Sequence, residues 1–202
     1  MKNDIQGKDV KLKILNAAKT LFAQKGYEGT TVRQICDEAG VALALVSYHF
    51  GGKENVFYAL FETYAPSFLQ KAYDLADPVA DLQSLIREFA RFRLAEPELI
   101  NLLQQEVMMQ SPRLEKVQHI VYALWLQLRA ILEAGKRQGR FEYESLRHTV
   151  HFVVGTLIFT RNSPFLDPVL QSKEDLPVKE EQEDVIRYTI SYILNGLKCN
   201  TP

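Results

Sequence analysis

Five of the chain's ten glycines, Gly26, Gly29, Gly40, Gly51 and Gly52, fall within 27 residues, and no proline stands before Pro66. Glycine takes the left-handed backbone that ends a helix more readily than any other residue. A stretch so punctuated holds short helices joined by tight turns, and longer helices are expected only beyond Gly52.

Ile14, Ala17, Ala18, Leu21 and Phe22 repeat at the spacing of one buried helical face, which predicts a helix over 9–25 stopped by Gly26. Thr31 and Gln34 stand as a capping box, so a second helix is expected over 32–38, broken by Gly40. Between Gly40 and Gly51, residues 42–50 have room for about two turns. Two short helices joined at a glycine and packed under a longer one make a helix-turn-helix pattern.

Beyond Lys53 the apolar spacing predicts helices over 53–75, 80–95, 98–109, 112–138, 144–160 and 180–198, with a loop over 162–179 that holds Pro164, Pro168 and Pro177. Pro66 should kink or split the first of these. No alternating strand pattern is present, so the fold class is all-α.

With 47% apolar and 24% charged residues, the composition excludes disordered, collagen-like and disulfide-scaffold classes. No apolar run approaches a membrane span, and Cys36 and Cys199 stand far apart without a C-x-x-C partner, which fits free thiols in the cytoplasm. The net charge of −1 hides an asymmetry: residues 1–55 hold 8 Lys+Arg against 6 Asp+Glu, and the rest is acidic.

Residues 10–60 resemble the DNA-binding domain of the TetR family of bacterial transcriptional regulators. The matching positions are Ile14, Ala17, Leu21, Phe22, Gly26, Thr31, Ile35, Ala39-Gly40-Val41, Tyr48-His49-Phe50, Lys53 and Glu54. The resemblance implies a DNA-binding domain over 1–55 and a helical ligand-binding and dimerisation domain over 56–202. It places Thr31, Ser47, Tyr48, His49 and Lys53 against the phosphate backbone of double-stranded DNA, and Arg33 within reach of a base or phosphate. Helical spacing turns Ala42, Val46 and Phe50 toward the core and leaves Leu43, Ala44, Ser47 and Tyr48 outward. Leu43 and Ala44 depart from the more polar family habit and suit contact with thymine methyl groups.

In the second domain Leu146, Val150, Val153, Val154, Leu157 and Ile158 form one stripe, with His148, Phe152, Gly155 and Phe159 on others. The last helix likewise carries Ile186, Ile190, Ile193, Leu194 and Leu197, and a second stripe of Val185, Tyr188, Thr189 and Tyr192. A helix apolar on two sides must bury both, which points to a homodimer built on the second stripes, as the resemblance also implies. Phe61, Tyr64, Phe89, Phe92, Gln105, Met109, Tyr122, Trp125 and Phe152 are candidates for lining an effector pocket.

No catalytic fingerprint is present, and no cofactor or metal is expected. His148, His151 and Glu144 share helical spacing but lack a fourth ligand, and Glu106 is one isolated carboxylate in an apolar stretch. The expected function is a repressor that binds a palindromic operator as a homodimer and is released by a small, largely apolar effector. The alternatives are an architectural or cell-division DNA-binding protein without a small-molecule ligand, and a helical-bundle enzyme with a vestigial head.

Overall fold

The computed structural model describes residues 2–159 and 182–199, and these form helices with no strand among them. The chain divides into two compact units, Met1–Leu69 with Arg93–Tyr122, and Gln70–Phe92 with Ala123–Pro202. The sequence boundary at residue 55 falls within a helix of the first unit.

The first unit begins with α1 (Lys2–Lys25), α2 (Val32–Ala39), α3 (Ala44–Phe50) and α4 (Lys53–Tyr64). Helix α1 starts earlier than its apolar face does, because residues 2–8 contain no proline to stop a polar extension. It ends where Gly26 takes φ 73°, and the buried Thr30 hydroxyl donates to the carbonyls of Gly26 (2.9 Å) and Leu21 (3.2 Å). Both halves of the expected capping box form at Thr31 and Gln34, and Gly40 closes α2 in the left-handed conformation. Helix α3 starts two residues later than expected, with Leu43 as its N-cap, so Ala42 lies in the turn and is exposed. Its assignment to the core is corrected: only Val46 of the three is fully buried, and Phe50 is half-buried.

Pro66 splits rather than kinks the helix that starts at Lys53. Ala65 before it is driven to an extended ψ of 124°, α4 stops at Tyr64, and a single 3-10 turn follows at Ser67–Gln70. The core of this unit is built from Ile14, Ala18, Phe22, Ile35, Val46, Val56, Phe57 and Leu60. Phe57 is central to its aromatic cluster, with ring centroids 6.1 Å from Phe22, 5.5 Å from Tyr27 and 5.1 Å from Phe61. The unit is completed by α6 (Pro97–Met108), packed on α1, and by the start of α7 (Leu114–Arg137).

The second unit holds most of α5 (Pro78–Ala95), the rest of α7, α8 (Leu146–Phe159) and α9 (Gln182–Gly196). Leu82, Leu85, Ile86, Leu128, Ile131 and Leu132 are buried there, and α8 packs on α9 through faces that include Val153, Leu157, Ile186 and Ile193. The expected loop over 162–179, with its three prolines, lies outside the described residues.

Helix α7 ends at Arg137, and Gly139 beyond it takes a φ of 68° that lets the Arg140 amide return to the Gly135 carbonyl at 2.8 Å. The Phe141 ring then lies on Gly135, where an added Cβ would meet ring carbons at 2.0, 2.3 and 2.8 Å. Gly135→Ala is therefore expected to destabilise the protein by about 1–3 kcal/mol through overpacking, read as a lowered thermal midpoint. An unchanged midpoint would show that the ring has room to move.

Candidate nucleic-acid interface

The second helix of the motif, α3, presents its outward residues in two rows four apart, Leu43 with Ser47 and Ala44 with Tyr48. All four are exposed; Leu43 is 50% and Tyr48 80% accessible, although both are large apolar or aromatic side chains. Arg33 extends exposed from α2, and Thr31 is exposed at its N-terminus, where the hydroxyl already accepts from the Gln34 amide. His49 is half-covered, its ring edge-on to Tyr48 at 4.9 Å. Gly51 ends α3 with φ 77°, and Asn55 donates to the Phe50 carbonyl at 2.7 Å, holding the turn into α4.

Lys53, expected at a phosphate, is half-buried and also bonded within the head. Its ammonium donates to the carbonyls of Tyr27 and Thr30, both at 2.9 Å, and lies 4.0 Å from the centre of the Tyr27 ring. Two carbonyl acceptors take two of the three ammonium N–H donors and the aromatic face adds to its hold, so Lys53 ties the start of α4 to the turn before α2.

The nine effector candidates divide between the units and differ in environment. In the first unit Phe61 is buried against Phe57, Tyr64 donates to Asn16, and Gln105 donates to the Ala23 carbonyl at 3.1 Å. Met109 and Tyr122 are exposed, Met109 as the C-cap of α6 and Tyr122 on α7. In the second unit Phe89 is buried, Phe92 and Trp125 are half-buried, and the rings of Phe89 and Trp125 lie 5.6 Å apart. Phe152 is 72% exposed.

The dimer candidates are better gathered. His148, Phe152 and Phe159 are exposed along one row of α8, and Gly155 in the same row would meet nothing within 4 Å if it carried a Cβ. On α9, Tyr188 and Tyr192 are exposed and Val185 is half-buried. Thr189 is buried, and its hydroxyl donates to the Val185 carbonyl at 2.8 Å. His148 contacts the Ser145 hydroxyl through Nδ1 at 2.9 Å, and among the described residues no three histidine, cysteine or acidic side chains converge on a metal position.

Glu106 is not an isolated carboxylate. It is buried and takes both arms of the Arg113 guanidinium, with Nε at 2.9 Å and Nη2 at 3.2 Å. Arg113 also donates to Glu28 at 2.9 Å and stacks 3.8 Å from the centre of the Tyr27 ring. Burial opposes the charge on Arg113, yet the hydrogen bonds and charges of Glu106 and Glu28 outweigh it and raise its pKa. Burial pushes the Tyr27 phenol up, with Arg113 pulling against it. Sequence reading missed this group because its members lie up to 85 residues apart and Arg113 belongs to no periodic pattern.

A capped α2, a glycine turn and an α3 with exposed contact residues together define a helix-turn-helix DNA-binding regulator. Residues 14–60 match the family model described as bacterial regulatory proteins, tetR family, and residues 78–166 match the tetracyclin repressor-like C-terminal domain. The chain is 28% identical to the HTH-type transcriptional repressor NicS of Pseudomonas putida over 92% of this chain and 91% of that protein. It is 31% identical to HlyIIR, a hemolysin II transcriptional regulator of known structure, with TM-score 0.75 over 96% of this chain and 99% of the other. PfmR, a TetR-family regulator from Thermus thermophilus, is 28% identical, with TM-score 0.68 over 91% of this chain and 98% of its own.

The chain belongs to the TetR family: it is a DNA-binding transcriptional regulator and not an enzyme. No described helix is long and apolar enough to cross a membrane.

Proposed function

We propose that the protein is a homodimeric repressor that binds a palindromic operator in the cytoplasm and is released by a small, largely apolar effector. DNA contact is assigned to residues 1–55, and effector binding and dimerisation to 56–202. The observation that carries the reading is the exposed set on α3, Leu43, Ala44, Ser47 and Tyr48, flanked by the exposed Arg33 of α2. Leu43 and Ala44 offer apolar contact to thymine methyls, Ser47 and Tyr48 offer hydroxyl donors to phosphate oxygens, and Arg33 is the side chain suited to a bidentate guanine contact. The exposed aromatic rows of α8 and α9 support a two-fold pair, which would present two α3 helices to successive major grooves. The tilted Phe89–Trp125 ring pair supports an apolar effector, and relatives that act as repressors support the direction of control.

Genome-wide binding of the purified protein to DNA fragments of its host tests the reading. The expected result is one or a few palindromic sites, and Arg33→Ala should weaken the best of them by about 1–3 kcal/mol while relaxing the base preference at one position of each half-site. Many dispersed sites without a shared sequence would replace the repressor reading with an architectural one. Operator affinity unchanged by every apolar compound tested would remove the effector from it.

A further inference from the structure

Arg113 stands immediately before α7, outside the helix-turn-helix, yet two of its contacts reach into the turn that launches α2. Its guanidinium stacks on Tyr27 at 3.8 Å, donates to Glu28 at 2.9 Å and is gripped from behind by the buried Glu106 of α6. Tyr27 in turn receives the Lys53 ammonium on its ring and carbonyl, and the same ammonium holds the Thr30 carbonyl. Thr30 is followed directly by the Thr31 cap and, two residues on, by Arg33. The segment 27–33 is thus anchored at one end by α1 and along its length by two cations, Lys53 and Arg113. Gln105, one residue before Glu106, adds a bond to the Ala23 carbonyl of α1, so α6 holds the base of the same turn.

A fork of this kind is directional. The Arg113 side chain is only 12% exposed and that of Glu106 3%, so the planar pair is fixed in place and cannot drift as a surface ion pair does. Glu28 is largely exposed, and its carboxylate is tethered by the remaining arm of the fork.

We infer that Arg113 is a positioning residue for DNA binding: held by Glu106, it sets the α1–α2 turn through Tyr27 and Glu28 and so fixes where Thr31 and Arg33 meet the duplex. This rests on the DNA-binding role of the head and not on the dimer or the effector.

Removing Arg113 alone leaves Glu106 buried without its partner, which risks unfolding. The test therefore uses the double variant Glu106→Leu/Arg113→Met, in which apolar groups of similar size fill the pair's place, alongside Arg113→Lys, which keeps the charge but not the fork. The probe is a duplex selected by the full-length wild-type protein from random DNA, and affinity is measured at several salt concentrations. Amide exchange of residues 27–33 is measured on the same proteins without DNA.

Both variants should bind about 3- to 30-fold more weakly than wild type with an unchanged salt slope. Their 27–33 amides should exchange about tenfold faster. Wild-type affinity in the double variant, or unchanged exchange, would overturn the inference. So would a salt slope reduced by about 1, which marks a direct phosphate contact. Full recovery in Arg113→Lys would likewise overturn it, because charge alone would then suffice. Failure of the wild type to select any duplex would count against the operator reading and leave the exchange result to decide the clamp.

Discussion

Phe57→Ala is expected to destabilise the first unit by about 3–5 kcal/mol, among the largest effects of any single truncation in this chain. The side chain is fully buried, and its ring is the hub on which Phe22, Tyr27 and Phe61 meet. Its loss removes the apolar area it buries and leaves a cavity lined by three rings that cannot all collapse inward. The consequence reaches function, because Tyr27 and Lys53 shape the approach to α2 and both rely on that cluster. Urea unfolding followed by circular dichroism and by Trp125 fluorescence checks the size and the place of the effect. Trp125 is the sole tryptophan and belongs to the second unit. The circular dichroism transition should therefore fall to lower urea more than the fluorescence transition does. Equal shifts of both would show that the two units unfold as one cooperative body. A loss below about 1 kcal/mol would show that the ring is not the hub the packing indicates.

The second large effect is expected from Phe152→Asp combined with Tyr192→Asp. The two side chains are 72% and 71% exposed, so neither change removes a contact from the interior of the protomer. Each places a carboxylate on the rows proposed to meet across a two-fold axis, where it would meet its own copy or an apolar neighbour without a counter-charge. The protein should sediment as a monomer at concentrations where wild type is a dimer. Operator affinity should then fall by about 100-fold or more, because a second half-site contact held at high local concentration is lost. A variant that remains dimeric would place the interface elsewhere. A monomer that keeps wild-type affinity would show that one head suffices.

The two experiments probe different layers of the same device. The first acts on the core that shapes one head, and the second on the pairing that brings two heads to one operator. Arg33→Ala acts on neither and should leave both the urea midpoint and the dimer intact, since its side chain is exposed on α2. That separation allows a weakened operator complex to be traced to base contact, turn geometry or pairing.

Local chemistry was legible in the chain itself. The Thr31–Gln34 box, the left-handed stops at Gly26, Gly40 and Gly51, and the break at Pro66 each depend on residues within a few positions of one another. Backbone sterics and one or two hydrogen bonds decide them wherever the segment sits. The buried stripe of α1 and most of that of α9 were equally legible, because helical spacing alone says which residues share a face, whereas only Val153 and Leu157 of the α8 stripe are fully buried.

Tertiary structure decided what each polar group is spent on and which aromatic faces stay in water. Packing brings the Tyr27 and Thr30 carbonyls to the Lys53 ammonium from 26 and 23 residues away, a pairing no local pattern announces. Thr189 shares a face with exposed tyrosines, yet it is buried, and Met109 and Tyr122 lie in apolar stretches, yet they are exposed. The Arg113 clamp joins Glu28 to a residue 85 positions on, and no spacing rule reaches so far. Such contacts arise from the close fit of several helices at once, so one chain's residue pattern determines the helices and their faces, while the packed structure alone determines which charges are left to meet DNA.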